Sequence, residues 1–293
     1  MRSFARRHPI RMFLALVYSA TAVIFATPLL SNAGIGVIDL DLPGAAPFIL
    51  LSAISLVAAA FITTALADGR SGVRELRSRV FRFRVSPKWY VIAFVALPGA
   101  ALAVAFVLAG ASPVVTLVSD PSIALSAVLG AVIAFALINW WEEAAWTGFA
   151  LHRLQGRIGP VRASVVTTWM QAALHLPLVF IADGVTNGRV APENIPFYLV
   201  ALFVLPIPVR MTLTWVYNSS GRSVPIAGLY HAGLGVAAGA AWLPVLAPSV
   251  NPIMVYAGFA ALAAIVFVAS HGRLGLPADQ ETVVSGKAVA VAA

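Results

Sequence analysis

One pattern repeats along this chain: a run of about 20 apolar residues, a short polar connection, then another run. Such runs lie near 10 to 30, 46 to 67, 89 to 111, 123 to 151, 162 to 182, 195 to 217, 224 to 246 and 252 to 270. Each is long enough, at about 1.5 Å per helical residue, to cross the roughly 30 Å hydrocarbon layer of a bilayer. With 60% hydrophobic and 10% charged residues among 293, polar surface is too scarce for a soluble globule. The expected fold is all-α and polytopic, a bundle of about eight transmembrane helices. No repeat, heptad or phosphate-binding glycine motif divides it. Residues 10–270 are therefore expected to form a single helical membrane domain, with 1–9 a cytoplasmic N-terminus and 271–293 a flexible cytoplasmic tail.

The charges give an independent reading of topology, because cytoplasmic loops collect Lys and Arg. Arg2, Arg6, Arg7 and Arg11 precede the first run, and Arg70, Arg74, Arg77, Arg79, Arg82, Arg84 and Lys88 follow the second. Arg153, Arg157 and Arg162 follow the fourth, and Arg222 and Arg273 keep the alternation. Asp39, Asp41, Asp120, Asp183 and Glu193 fall on the opposite side, with Arg189 the basic exception. Both termini are thus expected in the cytoplasm of a plasma-membrane protein, with 69–88 a cytoplasmic loop and 113–121 an exterior one. The net charge of +8 then reports membrane topology and contact with anionic lipids, not nucleic-acid binding. Ser31-Asn32-Ala33 after the first run has the look of a signal-peptide cleavage site, but the run's length favours an uncleaved span. Trp89 with Tyr90 and Trp215 with Tyr217 fall where aromatic rings favour the headgroup boundary. The absence of cysteine excludes disulfide and thiolate chemistry.

Against this background the polar residues inside the runs carry the functional signal. Glu142 and Glu143 stand well within the fourth run, where a carboxylate costs about 2.5 to 3.5 kcal/mol on insertion scales. His175 and His231 are the histidines that fall in other runs. Counted from the expected cytoplasmic ends, Glu142, His175 and His231 lie roughly 14, 20 and 10 Å deep, which overlap in the cytoplasmic half of the bilayer within boundary errors of roughly 5 Å. Asn139, three residues before Glu142, can share its helix face, and Gln171 stands one turn before His175. Taken singly, Asn139 and Gln171 are interhelical hydrogen-bond glue and each histidine is a packing residue. Two carboxylates at the same depth favour a site.

The order of these residues resembles the CAAX protease and bacteriocin-processing family of intramembrane glutamic proteases, whose signature is EExxxR, FxxxH and HxxxN on successive helices. The chain reads Glu142-Glu143-Ala144-Ala145-Trp146-Thr147-Gly148-Phe149, then Gln171-Ala172-Ala173-Leu174-His175, then His231-Ala232-Gly233-Leu234-Gly235. The likeness covers about 122–240, and the basic stretch before Lys88-Trp89-Tyr90 is also similar. Thr147 replaces the motif arginine, Gln171 the phenylalanine and Gly235 the asparagine. The resemblance implies an endopeptidase with Glu142 as general base, His175 as its water-positioning partner, His231 as an oxyanion donor and Glu143 in support. It also implies a peptide or lipid-modified protein as substrate, and no cofactor.

Amide hydrolysis needs a base for water and a donor at the developing oxyanion, and needs no covalent nucleophile. With Gly235 in place of the asparagine, Asn139 and Gln171 are the candidate substitute amides. Zinc is the competing reading, since two His and two Glu can ligate it, but no HExxH is present. Other classes compatible with these residues are an inactive relative serving as a membrane binding or immunity factor, and a proton-coupled transporter. Arg210 lies roughly 12 Å deep in the sixth run. Since Thr147 removes the motif's positive charge, Arg210 is expected to pair with Glu143 from another helix and leave Glu142 free; the alternative is that it snorkels to the surface.

Overall fold

The computed structural model describes residues 1–42, 44–185, 188–238 and 242–277. The tail expected from 271 onward lies outside the described residues beyond position 277, as do positions 239–241 within the seventh run. The described residues form a helical bundle, and six of its helices are long and apolar enough to cross a membrane. The protein is thus an all-α, multi-pass membrane protein.

A short α1 (Arg2–Arg7) leads into α2 (Pro9–Leu30), which packs along α3 (Ala46–Val80). α4 (Lys88–Ala109) and the short α5 (Ser112–Ser119) precede a long composite helix. That helix starts as α6 (Pro121–Ala134), widens into a π turn at Phe135–Asn139, resumes as α7 (Trp140–Ala145), widens again at Trp146–Leu151 and ends as α8 (His152–Ile158). α9 (Pro160–His175), α10 (Ile195–Val204), α11 (Pro206–Ser219), α12 (Val224–Ala238), α13 (Leu243–Leu246) and α14 (Val255–Ala269) complete the chain.

Three connections differ from the sequence reading. The stretch expected as a loop at 69–88 is helical as far as Val80, because α3 continues beyond a kink at Gly69, whose positive φ of 68° a glycine adopts without steric cost. Its second half is not simply solvated, since Leu76 and Arg79 are buried against the bundle. The connection at 113–121 contains α5, whose following turn is capped by Asp120 accepting from Ser122 N at 3.0 Å. The fifth run forms only a 16-residue α9 that tightens into a 3-10 turn at Leu176–Val179, because Pro177 has no N–H to continue the helical ladder and its ring crowds the carbonyl four residues before it.

α12 sits at the centre, in contact with α4, α6, α7 and α11. Glycines let the backbones approach: a methyl placed on Gly228 would lie 2.8 Å from Trp140 Cα, and one on Gly233 would lie 3.2 Å from the Ala93 carbonyl oxygen. The core joins Phe13, Leu56, Trp146, Phe149 and Phe259, with Phe13 edge-on to Trp146 at 5.5 Å between centroids. Two of the aromatic residues expected at the headgroup boundary are buried against the bundle. Trp89 packs edge-on against Trp215 at 5.4 Å, and Tyr217 is wholly buried.

Candidate active site

The two glutamates lie on α7, a single α-helical stretch between two π turns. A π turn carries an extra residue per turn and so resets which side chains face inward; such bulges recur at functional sites. The end of α3 holds this segment at both wide turns. Trp140 Nε1 donates to the Val80 carbonyl at 2.8 Å, and Arg79 Nη2 donates to the Gly148 carbonyl at 3.3 Å. On the opposite side α12 presses its Gly228 against the Trp140 backbone.

Glu143 is completely buried. It accepts from Arg210 Nη1 at 2.7 Å through Oε2 and from Nη2 at 3.1 Å through Oε1, a two-pronged pair brought in by α11. Thr147 Oγ1 also donates to Glu143, one helical turn away, and in turn accepts from Arg210 at 2.9 Å. Arg210 is 5% exposed and does not snorkel to a surface. Its Nη2 also donates to Gln171 Oε1 on α9. One guanidinium thus joins α7, α9 and α11, with the residue standing at the motif arginine's position, Thr147, inside the same network.

His231, from α12, completes the cluster. Its Nδ1 lies 2.9 Å from Glu143 Oε1 and 3.9 Å from Glu142 Oε2, off the line of an aligned hydrogen bond and an ion pair only when the ring is protonated. Glu142 is 5% exposed, and His231 is its ion-pair neighbour among the described residues. The adjacent carboxylates therefore differ in environment: Glu143 is held by a guanidinium and a hydroxyl, whereas Glu142 faces an imidazole at longer range.

A cavity of about 150 Å³ opens beside this cluster. Gln171, His175, Arg210 and His231 line it together with Leu202 and Leu213, so polar groups from three helices converge on a largely apolar chamber. His175 Nδ1 lies 2.8 Å from the Gln171 carbonyl oxygen. A carbonyl only accepts, so Nδ1 carries the hydrogen and Nε2 of the neutral ring holds the lone pair. Gln171 is oriented by the same logic: guanidinium only donates, so Oε1 faces Arg210 and the amide NH₂ is left for other partners. The glutamates stand behind the chamber wall, not among its lining residues.

Two expected members of the site stand apart. Asn139 is the last residue of the first π turn, and the hydrogen bonds of the cluster do not include it. Gly235 is exposed, and a methyl there would meet no atom within 4 Å. Among the described residues no three of His, Asp and Glu converge as a metal-ligand set.

A second buried polar group escaped the sequence reading. Arg79, counted among loop arginines, is 5% exposed; it pairs with Glu75, and its Nη1 lies 3.1 Å from His152 Nε2. Tyr217 Oη approaches His152 Nδ1 at 3.3 Å. The position of His152 one residue past the fourth run, beside Arg153, hid it among the loop charges.

The fold and the buried Glu-Arg-His cluster define a polytopic membrane protein with a group of ionisable side chains enclosed among its helices. Comparison with known proteins agrees: residues 124–237, from α6 to α12, match the model of the family described as Type II CAAX prenyl endopeptidase Rce1-like. The CAAX-protease resemblance carried by Glu142-Glu143, His175 and His231 is borne out over that segment. The chain is also similar to CAAX prenyl protease 2 of Methanococcus maripaludis, at 25% identity over 91 residues, 31% of this chain and 33% of that protein. The aligned region spans about a third of that relative's length.

Proposed function

We propose that this chain is an intramembrane endopeptidase that hydrolyses a peptide bond of a peptide or lipid-modified protein, using water activated by Glu142 without a metal. The site opens to the cytoplasm of a plasma-membrane protein whose termini are both cytoplasmic, in keeping with the alternation of arginine-rich and acidic connections. The observation that carries this reading is the unequal treatment of two adjacent carboxylates. Arg210 engages Glu143 with two donors, while Glu142 is left with His231 Nδ1 at 3.9 Å. Environments that separate two carboxylates in this way assign one to structure and the other to proton transfer.

In the proposed reaction Glu142 takes a proton from water as its oxygen attacks the carbonyl carbon. The tetrahedral intermediate then collapses with cleavage of the C–N bond, and Glu142 returns the proton to the leaving nitrogen. His175 lines the chamber and holds its free lone pair on Nε2, and in this role it accepts the water's other hydrogen and orients the attack. The oxyanion is met by His231 when both its ring nitrogens carry hydrogen. That state balances Glu142 and Glu143 against Arg210 and His231, two charges against two. Gln171 supplies the amide donor in place of the motif asparagine, because the residue lines the chamber and Arg210 engages its carbonyl end, which leaves the NH₂ for another partner. Removing such a donor costs roughly a hundredfold or more in kcat.

The test is a peptide-library cleavage assay on purified protein. Glu142→Gln abolishes cleavage with the fold intact, Gln171→Leu lowers kcat by about a hundredfold, and chelators change neither. Cleavage that persists in Glu142→Gln removes that residue from the base role. Activity lost to chelator and restored by zinc replaces the metal-free mechanism.

A further inference from the structure

A second cavity lies far along the sequence from the glutamate cluster, at the kink of α3. Its volume is about 340 Å³, and Arg2, Arg6, Ala65, Leu66, Gly69, Arg70 and Val73 line it. Arg2 and Arg6 are one turn apart on α1, so their side chains share the face that α1 turns to α3 while Ala5 is buried beneath them. The break at Gly69 redirects α3 and brings Arg70 to the same hollow.

The charge arrangement here is unbalanced. The two acidic side chains of this stretch of α3 are committed elsewhere: Asp68 pairs with Arg153 of α8, and Glu75 pairs with Arg79. Among the described residues neither Arg2, Arg6 nor Arg70 forms an ion pair with a carboxylate. Three guanidinium groups around one hollow repel each other unless an anion sits between them. The wall supplied by Ala65, Leu66 and Val73 is apolar, and it continues into the membrane-crossing half of α3. An anion attached to an apolar body, entering at the level where α3 leaves the hydrocarbon, matches both halves of the cavity. A free inorganic anion matches only one.

We infer that Arg2, Arg6 and Arg70 form a binding site for the phosphate of an anionic phospholipid, with Ala65, Leu66 and Val73 against its glycerol and upper acyl segments. The bidentate guanidinium geometry suits phosphate oxygens, and Gly69 keeps the approach open, since a methyl there would meet no atom within 4 Å. This site is independent of the proposed peptidase activity.

The experiment uses the full-length protein in phosphatidylcholine nanodiscs doped with spin-labelled phosphatidylglycerol, and reads the motionally restricted lipid fraction. Each change of Arg2, Arg6 or Arg70 to Gln weakens retention roughly fivefold, about 1 kcal/mol per charge near the surface. Arg70→Lys, which keeps the charge without the fork, falls between. Arg157→Gln, an exposed basic residue outside the cavity, leaves retention unchanged. All four replaced positions are exposed, and melting temperatures in undoped discs confirm folding. Equal loss in Arg157→Gln overturns the site in favour of diffuse surface attraction. Complete displacement of the lipid by inorganic phosphate makes it a soluble-anion site and overturns the lipid assignment. Unchanged retention in the triple variant overturns it outright.

Discussion

Replacing Arg210 by Met provides the sharpest test of how this bundle tolerates carboxylates in its interior. The side chain of Arg210 supplies two bonds to Glu143, one to Thr147 at 2.9 Å and one to Gln171. Glu143 itself has no solvent exposure with which to recover hydration. Removing one partner of a buried pair strands the other, at a cost of about 3 to 5 kcal/mol, which is a large share of the 5 to 15 kcal/mol typical of a folded domain. Glu143→Gln alone strands the guanidinium in the same way. The double variant strands neither charge, so it should recover at least about 2 kcal/mol relative to the sum of the single effects. Unfolding free energies can be measured by titrating a denaturing detergent into mixed micelles and following tryptophan fluorescence. Single-variant effects that add to within about 0.5 kcal/mol in the double variant would show that the two residues do not interact energetically, and would refute the reasoning.

Gly235 is exposed and does not line the chamber, so Gly235→Asn in a Gln171→Leu background should leave most of a roughly hundredfold loss in kcat unrepaired, measured as single-turnover peptide cleavage. Gly228→Ala drives a methyl to 2.8 Å from Trp140 Cα and should cost about 1 to 3 kcal/mol while lowering cleavage, because α12 carries His231 away from Glu143; thermal melting alongside activity checks both. For topology, Arg77→Cys and Asp120→Cys use exposed positions in a chain without cysteine, and an impermeant thiol reagent on intact cells should label 120 and not 77. The reverse pattern inverts the orientation.

The elements of the bundle were legible where hydrophobic length decides, and α2, α4 and α14 fall close to the runs that announce them. Arg210 with Glu143 was legible for a different reason: a guanidinium and a carboxylate at equal depth have few alternatives to each other in hydrocarbon. What the sequence hides is local geometry. Nothing in Phe135–Asn139 or Trp146–Leu151 spells a π turn, so the facing of α6 and α8 relative to the glutamates is not legible in the sequence. The burial of Arg79 was hidden too, because positive-inside counting treats every flanking arginine as solvated, whereas Arg79 reaches inward to Glu75, His152 and the Gly148 carbonyl. Tyr217 likewise has the sequence position of a headgroup anchor but no exposure.

The paired wide turns around α7 amount to one spare residue on each side of the glutamates. Rewinding either turn to α geometry removes that residue's worth of arc and rotates everything beyond it by about 100°. A deletion within Phe135–Asn139 would therefore spin α6 against its neighbours while Gly228 and Val80 still grip Trp140, so the carboxylates would keep their aim and the lipid-facing helix would lose its own. A deletion within Trp146–Leu151 would do the opposite, withdrawing Thr147 from Arg210 and unscrewing α8 from Asp68. The long helix is in this sense three independently phased rotors on one shaft, and only the middle one sets the direction of the chemistry.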